Sequence, residues 1–230
     1  MTKSIRVLQK NKFSLLVSLP KNTADFAKAA EGGGAHGIKV HLNVKHRASK
    51  TFFGSFAQEK KNIEKILKIV SCPVGVMPGA DVVAPENEMK MLQEMGISFF
   101  DIYIHHAPAY LLRSPLYKMF AVDRFDTDAL RDVHELKALR AIDAVEASIV
   151  NPADYGKRLD AQNVAHYSAL SRYTKLPVVV PTQKAVRPEE VEILYEAGVK
   201  MLMIGAVVTG KEVKGFAQKV RAYRNAIDAL

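Results

Sequence analysis

The sequence predicts an α/β fold: a single (β/α)8 barrel of the TIM type, with residues 1–230 forming one domain. Three observations carry that prediction. Short aliphatic, β-branched runs alternate with amphipathic runs, and the alternation repeats eight times along the chain. The strand-like runs are almost continuously apolar, as expected of parallel strands buried on both faces. A length of 230 residues falls at the lower end of the range for eight such units, roughly 200 to more than 400. A doubly wound open sheet shares the alternation, because periodicity alone does not show closure.

The elements follow in order. The first strand is read at 13–18 (Phe-Ser-Leu-Leu-Val-Ser) and its helix at 23–31. The second strand, 37–42, alternates strictly, and a helix at 56–70 follows a long loop. Strands at 73–77, 98–104, 117–122 and 142–149 are followed by helices at 86–95, 107–112, 126–139 and 157–174. The seventh strand, 177–181, leads through a polar loop into a helix at 187–196, with Pro188 in its first turn and Gly198 beyond its end. The eighth strand, 200–205, ends in a Gly-bounded turn that opens the last helix, 211–228. Two loops are longer than the usual 2–6 residues of a βα connection. One is 43–55, where Lys45, Arg47 and Lys50 are interleaved with Phe52, Phe53 and Gly54; the other is 151–156. The first reads either as a lid closing over an anionic ligand or as an excursion packed on the barrel rim.

Composition narrows the function classes. With 48% hydrophobic and 25% charged residues, the chain can bury one sizeable core. No run approaches the roughly 18 apolar residues of a membrane span, and residues 1–6 lack the pattern of a secretory signal. The lone Cys72 excludes an internal disulfide, so the cytoplasm is the expected compartment. The formal charge of +9 suits an anionic small molecule. Because Lys and Arg are scattered over most of the predicted helices, nucleic acid is not the expected partner. Exposed helix faces permit a homodimer without demanding one.

Alternation places ionisable groups inside the barrel. On strand 2, Ile38, Val40 and Leu42 take the helix side, leaving Lys39, His41 and Asn43 inward. Strand 4 aligns Asp101, Tyr103 and His105, and strand 6 turns Glu146 and Ser148 inward; strand 5 closes with Asp123 and strand 1 with Ser18. Unpaired buried charge costs several kcal/mol, so such a set is either an internal ion network, with Lys39 paired to Asp101 or Glu146, or functional. The candidate catalytic residues are Lys39, His41, His105, Asp123 and Glu146, with Ser18, Asn43, Lys45 and Arg47 as substrate-binding or lid residues. The remaining histidines, His36, His46, His134 and His166, read as surface or helix-layer residues. Three chemistries fit the set. His41 or His105 with Asp123 or Glu146 supports proton abstraction beside a carbonyl. Lys39 is a Schiff-base candidate for a lyase or aldolase. Two histidines and a carboxylate resemble an open divalent-metal site, although no local metal spacing is present.

The last third points to a phosphate. Lys184 follows strand 7 beside Thr182 and Gln183, while Gly205, Ala206, Thr209 and Gly210 offer close backbone approach after strand 8. In barrels of this kind, phosphate is often held by the loops after strands 7 and 8. The implied ligand is a small phosphorylated metabolite. A non-catalytic barrel that binds such a metabolite for sensing or scaffolding is the alternative from another class, and flavin mononucleotide, whose phosphate uses the same loops, is a further candidate ligand.

With those residues in view, the chain resembles the ribulose-phosphate-binding barrel superfamily, and within it the N-acetylmannosamine-6-phosphate 2-epimerase branch. The similar stretches are Glu31-Gly-Gly-Gly-Ala-His-Gly-Ile-Lys-Val, Asn62-Ile-Glu-Lys-Ile, Pro73-Val-Gly-Val, and strand 7 through the last helix. The resemblance implies a sugar-phosphate isomerase or epimerase with its phosphate at strands 7 and 8. The departures fall on the chemistry. Pro78 stands where the branch carries its catalytic lysine, Pro181 where it carries an acid, and His41 where strand 2 carries an acidic neighbour. The resemblance therefore transfers the phosphate site more readily than the reaction.

Overall fold

The computed structural model describes residue 8 and residues 10–230; residues 1–6, read above for a secretory signal, lie outside them. Among the described residues, eight parallel strands close into a barrel. They are β1 (Ser14–Ser18), β2 (Gly37–His41), β3 (Val74–Met77), β4 (Phe99–Tyr103), β5 (Tyr117–Val122), β6 (Ala144–Ala147), β7 (Val178–Pro181) and β8 (Met201–Ile204). Each strand pairs with its sequence neighbours, and β8 closes on β1 in the register Ser14–Met201 through Val17–Ile204. The helices are α1 (Ala24–Gly32), α2 (Phe56–Ile69), α3 (Glu86–Met95), α4 (Thr127–Ala138), α5 (Ala161–Thr174), α6 (Val191–Glu196), α7 (Ala206–Thr209) and α8 (Phe216–Asp228). Among the described residues, no helix is long and apolar enough to cross a membrane.

Side-chain alternation divides the apolar residues into two cores. Ile38, Val40, Phe100, Ile102, Val145 and Ala147 lie in the layer between sheet and helices. A separate cluster inside the barrel is built from Leu16, Phe99, Met119, Val179, Met201 and Met203. This cluster plugs the barrel below the polar groups. Gly75 makes room for it: a Cβ there would lie 2.1 Å from the Phe99 ring, so only a glycine lets that ring lie flat against β3.

Several boundaries differ from the sequence reading for identifiable reasons. β4 ends at Tyr103, and Ile104–His106 form a 3-10 turn, which takes His105 off the strand. Where a helix is expected at 107–112, the chain makes a second 3-10 turn, Ala109–Arg113. Pro108 and Pro115 bracket this stretch too closely for a full α-helix. α5 starts at Ala161 rather than 157, because the Asp160 carboxylate caps it by accepting from the Asn163 amide at 3.0 Å. The segment expected as one helix over 187–196 is split into a 3-10 turn, Pro188–Glu190, followed by α6. The helix expected over 211–228 begins only at Phe216, after Gly215 at φ 77°, while α7 forms just before it. The loop after β2 folds on itself as a two-stranded ribbon in which Val44 pairs with Phe53 and Lys45 with Phe52.

Candidate active site

A cavity of about 600 Å³ opens at the C-terminal end of the barrel strands, and its walls include residues from all eight strands or the loops that follow them. Its floor is charged. The Lys39 ammonium lies 2.5 Å from Asp101 Oδ2 and 3.2 Å from Glu146 Oε2, with all three side chains under 10% exposed. Register explains the convergence. Lys39 is level with Ser18 and Gly75, Asp101 with Met119, and Glu146 with Ala121 and Val179, so three long polar side chains meet across a layer whose other members are small or apolar.

Electrostatics fix the protonation of this cluster. Burial alone would drive Lys39 toward neutrality, but Asp101 and then Glu146 outweigh it and raise its pKa above the ordinary lysine value. Burial, reinforced by the Glu146 charge, raises the Asp101 carboxyl well above the usual carboxylate range. Burial also pushes Glu146 upward, yet the Lys39 charge and hydrogen bonds from Asp101, Lys39 and Ser148 bring it below its ordinary value. The two shifts run in opposite directions, so a proton shared by the pair rests on Asp101 rather than on Glu146. The shorter Lys39 contact belongs to Asp101, which taken alone would make Asp101 the carboxylate. The number of donors decides otherwise: Glu146 also accepts from Ser148, whereas Asp101 Oδ1 is buried with no hydrogen-bond partner among the described residues. With Asp101 protonated, the ammonium, the carboxylate and the acid sum to zero charge, an arrangement that allows three ionisable groups to be buried together.

One wall continues the network. Tyr103 Oη lies 2.7 Å from Ser148 Oγ, Gln183 Nε2 donates to that same Oγ at 2.7 Å, and it also donates to Tyr155 Oη at 2.5 Å. Gln183 Oε1 accepts from the Val150 amide, which locks the orientation of the side-chain amide. Burial, followed by the Glu146 charge, raises the Tyr103 phenol, so it remains protonated.

The candidate residues divide by position. Lys39 and Glu146 are on the floor; Ser18, Asn43, Lys45, Arg47, His105, Asp123 and Gly205 are on the walls or rim. His41 is fully buried and absent from the cavity surface. Its Nε2 lies 3.1 Å from Ser18 Oγ, and Phe53 of the ribbon covers its ring at 4.6 Å. Burial, then His46 and Lys39, holds its pKa well below the ordinary histidine value. His46 replaces it at the cavity wall, contrary to its reading as a surface residue, because the ribbon folds it inward. Its pKa falls to about 4 through burial and then the Lys39 charge. His105 stays at the rim with its side chain 50% exposed and Nδ1 3.8 Å from Asp123 Oδ2. The early end of β4 keeps His105 away from the floor.

The residues expected to grip phosphate are also redistributed. Lys184 is turned out of the cavity and buried against Asp160, Nζ to Oδ2 at 3.0 Å. The acid that pairs with it is the α5 N-cap, which the sequence assigned to the helix interior. Gly205 reaches the wall, and its amide donates to Thr182 Oγ1 at 2.9 Å. Ala206, Thr209 and Gly210 lie behind it, with the Thr209 hydroxyl donating to the Gly205 carbonyl at 3.1 Å. Three wall or floor residues received little weight from sequence. Asp101 was placed inward but below the strand ends, Tyr155 lies in a loop, and His46 lies in the ribbon; alternation signalled only Asp101. Among the described residues, no group of three or more His, Cys, Asp or Glu side chains is placed to hold a metal ion.

Comparison with known proteins supports the architecture. Neither a family model nor a curated protein sequence matches the chain, so the epimerase resemblance rests on the motifs quoted above. Solved structures do match. Phosphoribosyl anthranilate isomerase from Thermotoga maritima superposes with a TM-score of 0.69 at 11% identity, covering 95% of this chain and all of that one. Thiamine phosphate pyrophosphorylase from Pyrococcus furiosus gives 0.66 at 13% identity, over 96% and 98% of the two chains. KGPDC from Streptococcus mutans gives 0.66 at 11% identity, over 94% and 98%. At these identities the likeness concerns the fold.

Proposed function

We propose that this barrel is an enzyme that moves a proton on a small phosphorylated metabolite, by acid–base isomerisation or epimerisation next to a carbonyl. The observation that carries this reading is the Lys39–Asp101–Glu146 cluster at the floor of an open cavity. A carboxylate and a neutral acid, set side by side against an ammonium, form a base and a donor within one site. Glu146 takes the proton from the carbon beside the carbonyl, and the C–H electron pair passes to the carbonyl oxygen. Donation from Lys39 or Asp101 neutralises that oxygen. Returning the proton to the former carbonyl carbon, while the hydroxyl on the first carbon gives up its own proton and becomes the new carbonyl, gives an isomer; returning a proton to the opposite face from a donor on the far wall of the cavity gives an epimer. The same geometry argues against Schiff-base chemistry, since an amine held charged between two carboxyls is a poor nucleophile. Two of the structural neighbours carry a phosphorylated compound in their names, and one of these is an isomerase, which fits the reading.

The test is exchange in D2O, followed by proton NMR over a panel of phosphorylated aldoses and ketoses and their unphosphorylated counterparts. Deuterium should enter beside the carbonyl of a phosphorylated member. Glu146→Gln should slow this by about 10²-fold or more, the usual share of general acid–base catalysis. Absence of exchange and turnover across the phosphorylated panel would overturn the proposal.

A further inference from the structure

The ribbon after β2 crosses the mouth of the barrel. Its root is fixed on the β1–β2 side, where Thr51 Oγ1 donates to the Pro20 carbonyl at 2.8 Å and Phe53 packs at 1% exposure against His41. Its tip reaches Tyr155, in the loop after β6, with the Arg47 guanidinium carbon 5.7 Å from that ring's centroid. β6 lies four strands from β2 in a closed ring of eight, so the ribbon spans from one side of the mouth to the other.

At that tip Arg47 is exposed, lines the cavity, and sits over a neutral phenol. Among the described residues, no carboxylate lies within 4.0 Å of Arg47 or of Lys45 beside it. Lys184, the cation that sequence places at the phosphate, already has its acid. Below the tip, Tyr155 is bonded to Gln183, whose neighbour Thr182 holds the Gly205 amide on the adjoining wall. An anionic group seated against the β7 and β8 wall therefore has Arg47, at the ribbon's tip, as the cation beside it, and a guanidinium grips phosphate oxygens two at a time.

We infer that Arg47, delivered by the ribbon from the far side of the mouth, is the cation that holds the substrate phosphate, and that Lys184 is a structural residue. This deepens the proposed function and rests on its phosphorylated substrate. Phosphate bound in this way ties the ribbon to the β6–β8 side and shuts the cavity over the floor cluster.

Calorimetric titration of the full chain with inorganic phosphate, and with the phosphorylated sugars of the exchange panel, tests the assignment. Arg47→Ala should weaken binding by about tenfold to a hundredfold, the range of a lost charge-assisted contact, and Arg47→Lys should fall between it and the parent. Lys184→Met, which keeps the buried stem, should leave affinity within about threefold. Tryptic cleavage after Lys50 provides a second readout, slowed by phosphate in the parent and not in Arg47→Ala. Parent-like binding and protection in Arg47→Ala, or an equal loss in Lys184→Met, would overturn the inference while leaving a phosphorylated substrate standing. If the parent binds no phosphorylated probe, both readings fall.

Discussion

Replacing Lys39 by methionine would leave two carboxyl groups and a single proton in a space shielded from water. At about 3 Å and an effective dielectric constant of about 20, each ammonium–carboxylate contact amounts to about 5 kcal/mol before desolvation. The Lys39 contacts are 2.5 and 3.2 Å. Removing one partner of such a buried group costs about 3–5 kcal/mol net, or a fall in Tm of the order of 10 °C for a chain of this length. Charge counting makes the expectation sharper. Asp101→Asn leaves Lys39 with Glu146, and Glu146→Gln leaves Lys39 with Asp101, which then ionises; both clusters remain neutral, and each variant should cost about 1 kcal/mol. The double variant strands the ammonium and should cost more than the sum of the singles by about 2 kcal/mol or more. The Lys39→Met deficit should also depend on pH. Without the ammonium, the second carboxyl is raised above its unfolded value of about 4, so the folded state binds more protons than the unfolded chain above that pH. Stability of the variant therefore rises toward the parent as pH falls. Urea unfolding of all five chains at two pH values measures each quantity. Additive amide substitutions, or a Lys39→Met cost under about 1 kcal/mol, would refute the shared-proton account.

Two further outcomes follow from the same site. His46 has a folded pKa of about 4 against an ordinary 6.5, so the unfolded chain binds its proton first. Stability should accordingly fall between those two values as pH drops, by about 3 kcal/mol from this residue; a His46→Gln variant with the same acid slope in urea unfolding would contradict it. At Gly75, an added methyl meets the buried Phe99 ring 2.1 Å away. Gly75→Ala should lose about 1–3 kcal/mol through overpacking, with part recovered by pairing it with Phe99→Leu. An unchanged urea midpoint in the single variant would show that the ring is free to move.

Much of the barrel was legible because its signal is local. Eight apolar runs separated by amphipathic ones require covered parallel strands, and strict alternation on 37–42 assigned Lys39 inward and Ile38, Val40 and Leu42 to the helix layer. The same alternation placed Asp101 and Glu146 inside. It carried no information on height along the barrel axis, which depends on the register between strands, and so it favoured residues at the strand ends over the layer where the charges meet. Local rules also failed where one residue ended an element early. The 3-10 turn at Ile104–His106 removed His105 from the floor, and the Asp160 cap both shortened α5 and claimed Lys184.

The sequence by itself determined the class of fold, the inward-facing polar set and the long basic loop after β2, since each depends on neighbours a few residues apart. Only the tertiary structure decided which of those groups touch. The pairing of Lys39 with acids 62 and 107 residues away and the placing of Arg47 beside the loops after β6 and β7 both follow from barrel closure. Closure brings distant strands to one axis, and contact energies at 3 Å are fixed by that convergence rather than by any spacing along the chain.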